Sequence, residues 1–147
     1  MKQLAPTPTA AEAAQAAAVG LLRASDNVRR HLAEAIAPFG ITGQQYNVLR
    51  ILRGAHPEPL ATLDIAGRMI EKTPGITRLL DRLEPKGLIE RHRPAADRRQ
   101  VLVAITPAGM RLLAATDEAV REANETALAG LTTQELMDLS ALLERVR

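Results

Sequence analysis

One stretch of this 147-residue chain, residues 88–105, reads as strand rather than helix, and it leaves room for a single β-hairpin. Leu88 and Ile89 precede the segment RHRPAADRRQV, and Val101, Leu102, Val103 and Ile105 close and follow it. The arms LIERHR and QVLVAI pair as an antiparallel hairpin around PAADRR. A simple turn needs only turn-formers, yet residues 91–101 hold four arginines and a histidine. The flanking sequence reads as helix, so the expected fold is mainly α with a small β-hairpin wing.

The helices are marked by their ends. From Ala10 to about Ala37, Leu21, Leu22, Ser25, Val28, Leu32, Ala35 and Ile36 fall on one three-and-four stripe, read as buried. The Ala-rich first half offers a surface for a close helix–helix contact. Pro38 and Gly40 stop this helix. Thr42 and Gln45 then form a capping box that opens TGQQYNVLRIL, with Tyr46, Val48, Leu49 and Leu52 on its apolar side. After GAHPEP, the short helical stretch LATLDIAGRM turns Leu60, Leu63 and Ile65 inward. The next helix opens with Thr73 as N-cap and Pro74 at N1. Its core stripe is Ile76, Leu79, Leu80 and Leu83, and Pro85 ends it near Leu83 or Glu84. Thr106–Pro107 starts a long helix to about Leu128, and Gly130 breaks it. Thr132 with Glu135 caps a last helix carrying Leu136, Leu139, Leu142, Leu143 and Val146. Residues 1–9 contain two prolines and little to bury, and are expected to form a flexible tail.

Composition narrows the function. Phe39 and Tyr46 are the only aromatic residues, too few for a platform that stacks single-stranded bases. The core is therefore aliphatic, with core roles expected for both rings. No cysteine is present, which removes disulfides, thiol catalysis, thiol redox sensing and thiolate zinc sites. His31, His56 and His92 are scattered among separate elements, so no metal site is expected; His92 is assigned to the wing's polar face and the other two to ordinary surface. The sequence lacks a Gly-rich phosphate loop or nucleophile elbow, which argues against an enzyme and against a cofactor. There is neither an apolar run long enough for a bilayer nor a secretory leader pattern, so a cytoplasmic protein with no membrane partner is expected. Net charge is only +2, but residues 68–99 hold nine Lys/Arg against five Asp/Glu, whereas residues 100–147 hold four against seven. That asymmetry suits a nucleic-acid contact.

Two short helices joined by a tight turn and followed by a basic hairpin make a winged helix-turn-helix. The N-terminal end of such a second helix meets base edges in the major groove, and its amides face phosphates. Lys72, Thr73, Gly75, Thr77 and Arg78 are assigned to that end, with Arg82 one turn below Arg78. A glycine in a first helical turn costs about 1 kcal/mol relative to alanine. Close approach to DNA and tolerance of fraying near a cap are equal explanations for Gly75. The hairpin tip, Asp97, Arg98 and Arg99, has the geometry to enter a minor groove, with Asp97 near enough to orient a guanidinium. Arg91 and Arg93, on the arms, read as backbone contacts or solvated edge residues.

The stretch TGQQYNVLRIL…LATLDIAGRM…TPGITRLLDRLEPKGLIERHRPAADRRQVLVAITPAGMRLL, residues 42 to about 113, resembles the MarR (multiple antibiotic resistance regulator) family of transcription factors. Its most specific pieces are D-R-R followed by V-L-V-A-I and T-P-A-G, and the helix R-L-L-D-R-L-E-x-K-G-L. The resemblance implies a homodimer joined by residues 10–40 and 107–147, with 42–105 as the DNA-binding lobe of one domain spanning 10–147. It implies double-stranded, pseudo-palindromic operator DNA as partner, with the wing contact falling on Asp97 and Arg99. It also implies a repressor released by a small anionic or phenolic effector between the dimer and DNA lobes. Pro85 departs from the family pattern, which normally has a charged residue there, and takes Lys86 off a regular helical face. The alternative is a winged helix used for protein interaction or dimerisation without DNA. That reading calls for a neutral helix face and a wing poor in arginine, against which stand Lys72, Arg78, Arg82, Arg98 and Arg99.

Overall fold

The computed structural model describes residues 7–72 and 75–146. Thr9 is already part of the fold, because it caps α1 (Ala10–Ile36) in a reciprocal capping box with Glu12. The Thr9 N–H donates to the Glu12 carboxylate at 2.7 Å, and that bond holds the carboxyl below its ordinary pKa. A one-turn 3-10 helix, Ala37–Phe39, leads to α2 (Gly43–Ala55), which starts at the Thr42–Gln45 capping box. There follow β1 (Leu60–Ala61), α3 (Thr62–Arg68), α4 (Ile76–Leu83), β2 (Ile89–His92), β3 (Leu102–Ile105), α5 (Pro107–Ala127) and α6 (Thr133–Glu144).

The hairpin forms as expected, but it belongs to a three-stranded antiparallel sheet in the order β1-β3-β2. Ile89 faces Ile105 and Arg91 faces Val103 across the hairpin, while Leu60 meets Val103 from the other side. The stretch LATLDIAGRM is therefore divided. Leu60 and Ala61 extend along β3, and helix begins only at Thr62. Ile65 is buried and Leu60 nearly so, as read from the sequence, but Leu63 is 84% exposed. Two helical residues span about 200°, so once Ile65 and Met69 define the inward side, Leu63 must point away. Thr73 and Pro74, expected as N-cap and N1 of α4, lie outside the described residues. The helix is recorded from Ile76, with Gly75 at the cap position.

The core is aliphatic around one ring: Tyr46, Val48, Leu49 and Leu52 of α2, Ile65 of α3, Leu79, Leu80 and Leu83 of α4, and Ile89, Val103 and Ile105 of the sheet, with Leu113 of α5. Phe39 packs against this cluster, half-buried. The stripe of α1 is buried over only part of its length. Ile36 is fully buried and Val28, Leu32 and Ala35 are half-buried, but Leu21, Leu22 and Ser25 are exposed. Their spacing is sound, but among the described residues of α1 only Ile36 is buried. The last helix behaves likewise: no residue of α6 is buried, and Met137, Leu142 and Leu143 are exposed.

Two glycines set how the sheet meets the helices. Gly87 takes φ +72°, the left-handed conformation that ends a helix, and leads from α4 into β2. Gly109, in the first turn of α5, lies against the start of β2. A Cβ there would sit 2.7 Å from Ile105 Cγ1 and closer still to the Leu88 carbonyl oxygen. Thr106 fixes this approach: its hydroxyl donates to the Gly87 carbonyl at 2.6 Å and accepts from the Gly109 N–H at 3.1 Å. The T-P-A-G sequence thus joins the wing to α5, and only glycine fits its last position. Gly109→Ala is expected to destabilise the fold by about 1–3 kcal/mol through overpacking against backbone. Gly130→Ala, which meets open space, should stay within about 1 kcal/mol of the parent. Urea denaturation at one fixed protomer concentration measures both.

Candidate nucleic-acid interface

An eight-residue helix is marginal alone, so α4 owes its place to Leu79, Leu80 and Leu83, all buried. Their burial turns Thr77, Arg78, Asp81 and Arg82 to the exposed side. Arg78 and Arg82 stand one turn apart there, as the sequence indicated. Gly75 is not inside the first turn; it occupies the N-cap at φ −104°, ψ 24°, and its missing side chain meets open space. Glycine is acceptable at an N-cap, so nothing within the chain demands it. Lys72 is also off the helix. It lies in the linker between α3 and α4, where its ammonium donates to the Gly67 carbonyl at 2.7 Å. Thr73 lies outside the described residues. The helix ends at Leu83, before Pro85, and Lys86 reaches across to the Gly40 carbonyl at 2.7 Å.

At the wing tip Asp97, Arg98 and Arg99 are all exposed. Asp97 was expected to orient a guanidinium; its carboxylate instead accepts from the backbone N–H of Arg99 at 3.0 Å. This is the two-residue reach of an Asx turn. The Asp97 N–H donates to the Pro94 carbonyl, and the Gln100 N–H donates to the Asp97 carbonyl, both at 3.2 Å. Arg93 closes the tip by donating to the Arg98 carbonyl at 2.9 Å. Backbone bonds thus shape the turn, while the Arg98 and Arg99 guanidiniums make no ion pair among the described residues.

Arg91, read as an edge residue, has a different task. Its guanidinium lies 2.8 Å from Asp81 and 2.9 Å from Glu84, both on the α4 side of the hairpin. With a side chain only 24% exposed, it clamps the wing to the helix. The signal was present in the sequence: Ile89 and Arg91 share one face of β2 by simple alternation, and Ile89 is buried. A charged group on that face needs a partner. The Arg91 guanidinium holds the Glu84 carboxyl below its ordinary pKa.

Behind α4 a cleft of about 490 Å³ opens between α1, α2 and the α3–α4 linker. Val28, Leu32, Met69 and Leu79 give it apolar walls, and Arg29, Arg50 and Arg82 bring cations to it. Tyr46 lines it too, its phenol pushed up in pKa by burial and its ring 5.9 Å from the Arg50 guanidinium. The volume is that of a small-molecule site. Sequence reading did not find it, because its walls come from segments more than 50 residues apart. Arg82 therefore borders both the cleft and the exposed side of α4. The three histidines stay on α1, at the end of α2 and on β2. His31 is not ordinary surface: it is half-buried, with Nδ1 2.9 Å from the Asn27 carbonyl.

Residues 41–101 match the family model described as the MarR family. A MarR transcription factor from Planctomyces limnophilus, solved as a crystal structure, is 41% identical. The match covers 95% of this chain and 98% of that one, with a TM-score of 0.71. The chain belongs to the MarR family. A mutant MarR from Escherichia coli, complexed with operator DNA, is 28% identical over 86% of this chain and 89% of its own, with a TM-score of 0.77. The homoprotocatechuate degradative operon repressor of Escherichia coli is 28% identical over 126 residues, covering 86% of this chain and 84% of its own length. As a MarR-family member the protein is a winged-helix transcriptional regulator, not an enzyme. Among the described residues no helix is long and apolar enough to cross a membrane.

In this MarR-family lobe the Arg91 clamp carries a pH signature. Glu84 has a lower pKa folded than unfolded, so its share of the stability is present above the ordinary value of 4.5 and is lost as pH falls through the folded value. Arg91→Ala should therefore reduce stability at neutral pH, and the gap from the parent should narrow below pH 4.5. Urea denaturation of both proteins across that range tests it. A gap that stays constant into acid assigns the loss to packing of the Arg91 stem.

Proposed function

We propose that this MarR-family regulator is a homodimeric repressor that reads a pseudo-palindromic operator in the cytoplasm and is released by a small anionic or phenolic ligand. The observation that carries the reading is the exposed side of α4, with Thr77, Arg78 and Arg82, clamped through Arg91 to a wing tipped by Arg98 and Arg99. Residues 42–105 form the DNA-binding lobe, and 10–40 with 107–147 the dimerisation helices. Lys72, Thr73 and Gly75 approach the phosphate backbone, while Thr77 and Arg78 meet base edges and Arg82 lies one turn behind. At the wing, Arg99 enters the minor groove beside Arg98, and Asp97 presents it by bonding its backbone amide.

The dimer accounts for apolar surface that a lone chain leaves in water. Val19, Leu21 and Leu22 of α1 are exposed, as are Met137, Leu142 and Leu143 of α6 and Val146 beyond it. Such patches mark interfaces rather than ordinary solvent-facing surface. A second copy offers the same two helices by two-fold symmetry, and pairs two α4 helices on one operator. The ligand reading rests on the cleft behind α4, where apolar walls meet three guanidiniums.

Sequencing the genomic fragments that the protein retains defines the operator. Arg78→Ala is then expected to lower discrimination between operator and mutated operator by about 1–3 kcal/mol. Equal losses on operator and random DNA make Arg78 a phosphate contact instead. Arg99→Ala should weaken binding most on operators with A·T-rich flanks; unchanged binding, with the fold intact by circular dichroism, removes the wing from the reading. Sedimentation of Leu22→Glu with Leu143→Glu tests the dimer: monomers with weakened operator binding are expected, and an unchanged dimer rejects this interface.

A further inference from the structure

Residues 69–72, the described part of the linker that leads from α3 towards α4, are tied down by a small set of contacts. Met69 is buried, and the Ile70 N–H donates to the Asn47 side chain at 2.9 Å. Glu71 uses both carboxylate oxygens, one 3.0 Å from Arg29 on α1 and the other accepting from Gln44 on α2 at 3.3 Å. Among the described residues, Arg29–Glu71 is the only ion pair or side-chain hydrogen bond that joins α1 to the α3–α4 segment. All three residues also line the cleft.

The pair is exposed, its side chains 59% and 38% accessible. Exposed pairs contribute little and exchange partners readily, so the contact suits a switch better than a brace. An organic carboxylate with its apolar body against Val28, Leu32 and Met69 brings a charge like that of Glu71 into the same space. Arg29 then faces two carboxylates, and the incoming one adds apolar burial that Glu71 lacks.

We infer that the Arg29–Glu71 pair is a latch: closed, it holds the linker leading into α4 against α1, and a small organic acid in the cleft opens it by taking Arg29. Glu71 is thus a positioning residue for DNA binding, and Arg29 selects carboxylates over neutral ligands of the same shape. The inference rests on the proposed effector cleft and adds to it the ligand class and the route to the recognition helix. Coupling follows from linkage, since a ligand shifts the linker only by its preference for the open state.

Benzoate and its neutral counterpart benzamide are the probes, with binding followed by ligand-observed NMR. Operator affinity is followed by fluorescence anisotropy, and linker opening by amide exchange over residues 69–72. In Glu71→Gln the latch is open without ligand. Exchange should be faster, operator affinity about fivefold lower, and benzoate about fivefold tighter than in the parent, the upper end for one exposed ion pair. Added benzoate should then weaken operator binding of the parent more than that of the variant. Benzamide should bind both alike, Glu71→Asp should restore the parent behaviour in part, and Arg29→Gln should narrow the preference for benzoate, with Arg50 and Arg82 still lining the cleft. Equal exchange and equal operator affinity in the parent and Glu71→Gln overturn the latch, whether or not benzoate binds. Equal benzoate affinity in the two proteins overturns the exchange of Arg29. Benzoate bound by neither protein overturns the carboxylate half together with the effector reading, while faster exchange and weaker operator binding in Glu71→Gln still support Glu71 as the positioning residue.

Discussion

Three leucines decide how the lobe faces the outside. Leu79, Leu80 and Leu83 carry the buried side of α4, and a helix of eight residues has little stability of its own. Burying a leucine side chain is worth about 1.5–3 kcal/mol relative to leaving it exposed, more than any surface ion pair around it. With those three inward, the azimuth of Thr77, Arg78, Asp81 and Arg82 is no longer free. The sheet then follows, because the turn after α4 closes at Gly87 in the left-handed conformation and β2 begins two residues later. The cationic surface is thus a product of apolar packing beneath it.

Polar contacts refine that arrangement. Arg91 joins the wing to α4 through Asp81 and Glu84, so two segments that meet the same DNA in the proposed reading are not independent. The Asp97 carboxylate bonds a backbone amide, and the neighbouring guanidiniums make no ion pair among the described residues. An acidic residue at the tip of a basic wing is then no contradiction, since its charge lies against N–H and shapes the turn. The same economy explains Arg93, whose donation to the Arg98 carbonyl keeps the two sides of the tip together.

Much of this was legible in the sequence because helices announce their ends. Thr42–Gln45, Thr106–Pro107 and Thr132–Glu135 each mark a start that the structure keeps, and α4 ends at Leu83, before Pro85. What the sequence could not show depends on contacts between distant segments. Leu60 and Ala61 are strand only because the edge of β3 lies beside them. Leu63 faced inward in a helix that was assumed to begin too early, and two helical residues turn a side chain to about the opposite face. Leu21 and Leu22 have the right periodicity for a buried stripe, but periodicity does not say whether the covering surface belongs to the same chain. The site followed the same division: the exposed arginines of α4 and the wing were readable one by one, whereas the Arg91 clamp and the Glu71 contacts join residues seven to 42 positions apart. The cleft had no local signal at all.

The two kinds of contact also divide the labour of movement. The underside of α4 is held by three buried leucines, and packed cores are bistable at most, not continuously soft. Among the described residues, the linker before it is held by one buried methionine and a few exposed or part-buried polar bonds, each worth about 1 kcal/mol or less. A small molecule that offers a few kcal/mol of differential binding cannot unpack the leucines, but it can rearrange the linker. In the proposed reading, control of DNA binding from the cleft moves α4 as a unit, and Arg91 ties the wing to it. Melting the helix is the costlier route, because it would expose all three leucines at once.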